Sequence, residues 1–331
     1  MTPQHKRYLY NIGGISLSAL FIYFCFHFLK GQNVSNIFSI PHPWYFAIII
    51  ALNIPLMGLH TYSWKTLLVP IKKLPFWTLF DILHMGYMGN NLLPLKAGEF
   101  FRTSFIAKKW ELSYTRVLTT VGLERFFAGI SLLILFLFIT FWLSLPIWLK
   151  TSAYTLLAIL LGVQVWLWIL WAKKPNLESW KSRRPVIYHF LKTMDHISEG
   201  SAVLKDPKIF AWLIVVGLAT WACQAAMLRM VELAYGLQLS WPATIFVLVA
   251  INLAIVLPSA PGNIGTFQLA AILAYNFVGV DKATGLGIGI FFHILQVLPT
   301  TLLGLFYFWR WGMRFKDMER VAEDKLEEAL P

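Results

Sequence analysis

Apolar residues run along this chain in long blocks at about 8–29, 43–64, 117–145, 151–172, 209–236 and 283–309. Each block supplies the roughly 20 residues that a helix needs to cross about 30 Å of hydrocarbon, so each is predicted to be a membrane-spanning helix. Two further apolar regions, 76–113 and 241–280, are interrupted in the same way. The first carries Asn91-Leu92-Leu93-Pro94-Leu95-Lys96-Ala97-Gly98-Glu99, the second Asn252 followed by Leu257-Pro258-Ser259-Ala260-Pro261-Gly262. In both, Leu-Pro breaks the run and a Gly stands four residues after the Pro. The arms on either side are too short or too polar to be comfortable spans, which predicts a re-entrant hairpin at each region. Non-helical backbone at membrane depth is tolerated only where protein or a wet cavity covers its peptide groups, so the breaks predict a polar cavity inside the bilayer.

Reading the order of elements gives span, span, hairpin, span, and then the same order again. Three full crossings per copy reverse the second copy. The predicted fold is therefore an all-α polytopic membrane protein, an inverted-topology repeat with three spans and one re-entrant hairpin in each half. The first repeat covers 1–145 with its hairpin at 76–113 entering from the cytoplasmic side. The second covers 146–312 with its hairpin at 241–280 entering from the outer side, and 313–331 forms a tail. Between its first two spans the second repeat sets Ile187, Phe190, Leu191, Met194 and Ile197 on one helical face, opposite His189, Lys192, Asp195 and Glu199. That pattern predicts an amphipathic helix at 185–204 lying on the membrane surface.

Charge orients this arrangement. Of the 28 Lys and Arg residues, Lys30, Lys150 and Lys282 fall outside and Arg125 and Arg229 fall within spans when the N-terminus is placed inside; the rest are cytoplasmic. A bias of that size sets topology, predicting both termini in the cytoplasm. The same bias accounts for the net charge of +12 without nucleic acid. With 58% hydrophobic and 13% charged residues in 331, no soluble catalytic domain is expected. Cys25 and Cys223 both fall within predicted spans, which argues against a disulfide framework. Lys6 and Arg7 ahead of the first apolar block resemble a signal peptide, but the length of the block and the lack of a small-residue cleavage pattern predict a retained span.

Ionisable residues inside spans are functional candidates, because hydrocarbon penalises them. Glu124 lies seven residues past Val117, about 10 Å into the layer at 1.5 Å per residue. Arg125 points about 100° away from it on a helix, so one or both should face the interior. Glu99 and Arg102 share a face just after the first break, either as a local pair at a solvated hairpin end or as headgroup contacts. Asp81 and His84 show the same spacing. Arg229 and Glu232 lie near the outer end of their span, where snorkelling explains them. His293 occupies the part of the last span that corresponds to Glu124. The amides Asn90, Asn91, Asn252, Asn263 and Gln268 gather at the breaks, where satisfying freed backbone and binding a polar ligand both fit. Gly98, Gly262 and Gly265 allow close approach and tight reversal. No phosphate-binding glycine loop, metal-ligand spacing or serine elbow occurs. No cofactor is expected.

Three ordered motifs carry a family likeness: Asn91-x-Leu-Pro-Leu-Lys-Ala-Gly-Glu-x-x-Arg102, then Glu124-Arg125, then Leu257-Pro-x-x-Pro-Gly262-x-x-Gly265. Together they resemble the lysylphosphatidylglycerol synthase transmembrane-region family, which includes the flippase half of the multiple peptide resistance factor. The likeness extends over essentially the whole chain. It implies a lipid-translocating domain with two re-entrant helices in a bacterial or archaeal cell membrane. It also implies that Gly98, Glu99, Arg102, Glu124, Arg125, Pro258, Pro261 and Gly262 line a headgroup path. The chain departs from the family pattern where Ala128 replaces an Asp, Asn263 a Gly, and Phe267 and Gln268 an Arg-Glu pair. No segment reads as an aminoacyl-transferase domain, so the chain is not expected to make lysyl-lipid.

The expectation that follows is a lipid flippase or carrier for a polar-headgroup lipid of the aminoacyl-phospholipid, glycolipid or polyprenyl-phosphate class. Its substrate contacts would come from Asn91, Pro94, Gly98, Glu99, Arg102, Glu124, Arg125, Asn252, Pro258, Pro261, Gly262, Asn263, Gln268 and His293. Its partner is a membrane lipid, not nucleic acid; a homo-oligomer or a partner lipid-modifying enzyme also fits. The alternatives are an intramembrane transferase acting on a polyprenyl-phosphate or lipid-linked sugar, with Asp81 or Glu99 as base, and a subunit that positions another lipid enzyme.

Overall fold

Long apolar blocks become long helices because a chain in lipid satisfies its peptide groups only within each segment. A computed structural model of the chain describes residues 19–30, 33–93, 96–145, 147–172, 201, 205–256 and 261–314. Among these residues there is no strand. In chain order the α-helices are α1 (Ala19–Leu29), α2 (Tyr45–Leu68), α3 (Phe76–Leu92), α4 (Ala97–Lys109), α5 (Tyr114–Ile139), α6 (Ile147–Ala172), α7 (Pro207–Ala234), α8 (Trp241–Ala254), α9 (Thr266–Phe277) and α10 (Lys282–Arg310). Helices α2, α5, α7 and α10 are long and apolar enough to cross a membrane. The surface helix expected at 185–204, the two prolines Pro94 and Pro258, and most of the tail lie outside the described residues.

Both interrupted regions consist of two short helices around a break: α3 and α4 for the first, α8 and α9 for the second. Each break contains a non-glycine residue in the left-handed region, Lys96 (φ 53°) before α4 and Asn263 (φ 57°) before α9. L-residues enter that region at a steric cost, so both reversals are imposed by surrounding packing. Helix starts are capped by ordinary side chains. Ser240 Oγ accepts from the Ala243 N–H at 3.4 Å at the head of α8. Asp281 Oδ1 accepts from the Thr284 N–H at 3.0 Å at the head of α10.

The chain condenses into two units, each drawn from several segments. The first comprises 1–58, 80–102 and 222–331, the second 59–79 and 103–221. In the first unit Cys25 and Leu29 of α1 pack on Ile272 of α9 and on Ala283 and Leu286 of α10. Glu232 of α7 is fully buried and accepts from Thr244 Oγ1 of α8 (2.6 Å), Tyr275 OH of α9 (3.1 Å) and Arg229 Nη1 (3.2 Å). This corrects the snorkelling expectation: Glu232 faces the interior, where three donors offset part of the cost of burying it. Pro299 interrupts the hydrogen-bond ladder of α10, having no N–H to offer the Leu295 carbonyl one turn back. Asn53 of α2, 5% exposed, fills that role by donating from Nδ2 to Leu295 O at 3.1 Å.

In the second unit Leu67 of α2, Leu123 and Phe127 of α5 and Leu213 of α7 form a hydrophobic core. Trp221 Nε1 donates to Ala128 O at 2.8 Å, and Ser131 Oγ donates to Ile214 O at 3.3 Å. These bonds join α5 and α7 through main-chain oxygens.

Candidate functional site

Within the first unit, the two breaks meet. Asn91, in the last turn of α3, donates from Nδ2 to Thr301 Oγ1 of α10 at 2.9 Å and lies 3.5 Å from Thr300 Oγ1. Gly262 lies beside the carbonyl of Asn91, where a Cβ would make ordinary van der Waals contact with the oxygen at 3.4 Å. Its φ of +68° suits glycine in any case. One amide residue thus touches both breaks and the helix that follows the second.

Behind the first break, α4 folds back on α3 through bare backbone. A Cβ on Gly98 would overlap the carbonyl oxygen of Gly86 and sit 2.6 Å from the Asn90 nitrogen. Only glycine permits that approach. Arg102, one turn further along α4, lies over Gly86 and is 2% exposed. The solvated hairpin end entertained for Arg102 is therefore corrected: its side chain is interior. Glu99 is half-buried in the first turn of α4, where a carboxylate suits the positive end of the helix.

The second break is pinned by a chain of polar contacts. Pro261, Gly262 and Asn263 form a single 3₁₀ turn, and Gly265 (φ +90°) opens α9. The Gly265 N–H donates to Gln268 Oε1 at 2.8 Å, closing half of a capping box. An N–H can only donate, so the oxygen of Gln268 is fixed on that side and its Nε2 must point the other way. There it meets His293 Nδ1 of α10 at 3.1 Å. An amide nitrogen donates, so Nδ1 accepts, and the imidazole is neutral with its proton on the other ring nitrogen. The ring also hydrogen-bonds the backbone of Gly262, where a carbonyl can accept that proton. Phe267 stacks on His293 with centroids 4.3 Å apart and planes at 8°. His293 is 9% exposed.

Asn252 behaves differently from the other amides. Its Nδ2 donates to Leu248 O of its own helix at 2.8 Å, serving the last turn of α8. The structure therefore brings Asn91, Gly262, Gln268 and His293 into one connected set, with Pro261 and Asn263 in the same turn, and stacks Gly98 and Arg102 on α3.

Glu124 and Arg125 belong to the second unit. Glu124 is 3% exposed and faces His60 of α2, Oε1 to Nδ1 3.6 Å, while Arg125 lies on an exposed face. One turn away Trp64 Nε1 donates to Thr120 Oγ1 at 3.1 Å. His60 was not among the residues expected from the sequence. Its signal was present: His60 and Trp64 on α2 have the same four-residue spacing as Thr120 and Glu124 on α5, so antiparallel helices match them pairwise. Asn53 and Thr301 were also missed, since each acts through a carbonyl or amide that only the fold brings near. Among the described residues no cluster of three or more His, Cys, Asp or Glu side chains is placed to hold a metal.

Comparison with known proteins bears on the same residues. The family model described as "Lysylphosphatidylglycerol synthase TM region" matches residues 11–304, a stretch that contains both breaks and every candidate named above. The chain is also similar to the UPF0104 membrane protein MJ1078 of Methanocaldococcus jannaschii. The two are 22% identical over 228 residues, covering 66% of this chain and 92% of that protein.

Proposed function

The chain belongs to the lysylphosphatidylglycerol synthase transmembrane-region family, and from that premise we propose that it is a lipid flippase or lipid carrier. The observation that supports this most directly is the meeting of two broken helices at Asn91 and Gly262, with Gln268 and His293 beside them. Polar backbone and amides gathered between apolar helices give a headgroup partners that lipid tails do not. Moving a bare charge through hydrocarbon costs on the order of 20 kcal/mol in the idealised case, and a polar path removes most of that barrier.

In this reading the two pairs of short helices are re-entrant hairpins of an inverted repeat, entering from opposite faces, with both termini cytoplasmic. The headgroup passes the breaks while the acyl chains stay in the bilayer. Arg102 supplies the guanidinium fork that suits a phosphate. Because it is buried, it meets the headgroup only when the first break shifts, as alternating access requires. Glu99 balances a cationic group. The substrate is a polar-headgroup lipid of the aminoacyl-phospholipid, glycolipid or polyprenyl-phosphate class, handled in a bacterial or archaeal cell membrane.

The test is reconstitution of the purified chain in vesicles with labelled phospholipids. Arg102→Gln is expected to slow translocation about tenfold or more, the loss of a charged hydrogen bond, with thermal stability measured alongside. Glu124→Gln and Arg125→Ala probe the second unit separately. Unchanged transport in all three variants would overturn the assignment of these residues. Recovery of a covalently altered lipid would favour the transferase alternative.

A further inference from the structure

A cleft of about 440 Å³ opens in the second unit between the end of α2 and the start of α7. Its size lies in the range of small-ligand sites. From α2 it is lined by Lys65 and Thr66, with Tyr62 one turn deeper; across from them stand Lys205 and Asp206, just ahead of α7. Val69, Pro70 and Ile209 supply apolar wall. Trp212, one turn further into α7, sets its ring edge-on to Tyr62 with centroids 6.4 Å apart.

Three features identify the occupant. First, the lining carries two ammonium groups against one carboxylate, so it attracts an anion. Asp206 Oδ1 already accepts the Lys208 N–H at 2.8 Å, which turns part of that carboxylate toward the backbone. Second, α2 and α7 are both long and apolar enough to span a membrane, and the cleft is built from the end of one and the beginning of the other. Its mouth therefore lies where hydrocarbon gives way to headgroups. Third, a Tyr–Trp pair marks such boundaries, because amphipathic rings settle at headgroup level. A soluble anion would use the lysines alone. A lipid uses the lysines for its phosphate and the apolar wall for the first carbons of its chains.

We propose that this cleft binds the headgroup of an anionic glycerophospholipid, with Lys65 and Lys205 on the phosphate; the Thr66 hydroxyl spends its proton on Tyr62 O at 2.9 Å and serves only as wall. The site requires only that α2 and α7 cross the membrane, and it stands whether or not the chain moves lipid.

The experiment uses the full chain in nanodiscs of phosphatidylcholine containing a photoactivatable phosphatidylglycerol tracer, with labelled peptides mapped by mass spectrometry. Label is expected on the segments that contain Tyr62 to Pro70 and Lys205 to Ile209. Lys65→Gln with Lys205→Gln should lower it by about fivefold for each lysine. Asp206→Asn keeps the acceptor oxygen for Lys208 and removes the opposing charge, so it should raise the label several-fold, and it decides the matter if the double variant fails to fold. Equal labelling by a phosphatidylcholine tracer overturns the proposal, as does label elsewhere or label indifferent to these substitutions. Competition by millimolar inorganic phosphate would identify a soluble anion and overturn the lipid assignment.

Discussion

A carboxyl group surrounded by a threonine, a tyrosine and an arginine stays inside the protein only while those donors remain, and the same donors depend on it. Replacing Glu232 with Ala strands Arg229, Thr244 and Tyr275 together, at a cost of about 3–5 kcal/mol. Glu232→Gln retains one acceptor oxygen and should cost distinctly less. Thermal unfolding of the purified chain, followed by tryptophan fluorescence, separates the two. At Gly98 the effect is steric. Ala in its place meets the carbonyl of Gly86, so Gly98→Ala is expected to push α4 off α3, lower the unfolding temperature by several degrees and abolish translocation. Much of this scale was visible in the residues themselves: Gly98, Asn91, Gln268, His293 and Glu124 were all singled out by type and position. Glu232 was misread because depth along a span does not reveal which way a side chain points, and its three donors come from three separate helices. His60 escaped notice because one histidine in an apolar run has no partner until the opposite helix is placed.

Among the elements, the second break is held at the head of α9 by Gln268, which makes two of its contacts. Gln268→Leu removes the acceptor for the Gly265 N–H and the donor to His293, so α9 should lose about 1 kcal/mol of N-terminal stabilisation. The expected readout is faster amide exchange across residues 262–265, with α10 unchanged. The head of α10 offers a pH test in the connection that precedes the span. At Asp281, burial raises the carboxyl pKa, but hydrogen bonds from the Thr284 hydroxyl and backbone, from Asn36 and from the Ala283 N–H outweigh it, leaving the group below its ordinary value of 3.8. A carboxylate lowered by folding stabilises the folded state above its unfolded value, and this contribution is lost as pH falls through the folded one. The wild-type chain should therefore lose stability below about pH 3.8 in a way that Asp281→Ala does not, measured by unfolding across an acid series. Helix existence was readable from apolar blocks: the predicted block 43–64 corresponds to Tyr45–Leu68 and 283–309 to Lys282–Arg310. The ends differ by a few residues because caps such as Asp281, and not hydropathy, set where a helix begins. The breaks were legible because Leu-Pro and Gly leave few other conformations.

For the whole molecule, periodicity says which segments are helices but not which segments share a core. The compact units are assembled from 1–58 with 80–102 and 222–331, and from 59–79 with 103–221. No boundary in composition announces that grouping, because every apolar block looks equally willing to pack against any other in lipid. Contacts such as Asn53 to Leu295 and Asn91 to Thr301 are what specify it. Each joins residues more than two hundred positions apart and satisfies a polar group that would otherwise face hydrocarbon. Asn53→Leu should destabilise by about 1–3 kcal/mol through the orphaned Leu295 carbonyl, detectable as a lower unfolding temperature in detergent.

The three hydrogen bonds to Glu232 lie far along α8 and α9 from the break that joins them. Clamped at one end by that carboxylate and held at the other through Gln268, the stacked Phe267 ring and the Gly262 turn, the arm is expected to pivot about the clamp. The expectation is that amide exchange within the second pair of short helices is fastest at residues 262–265, and that a disulfide introduced between α7 and α8 beside Glu232 leaves that exchange unchanged.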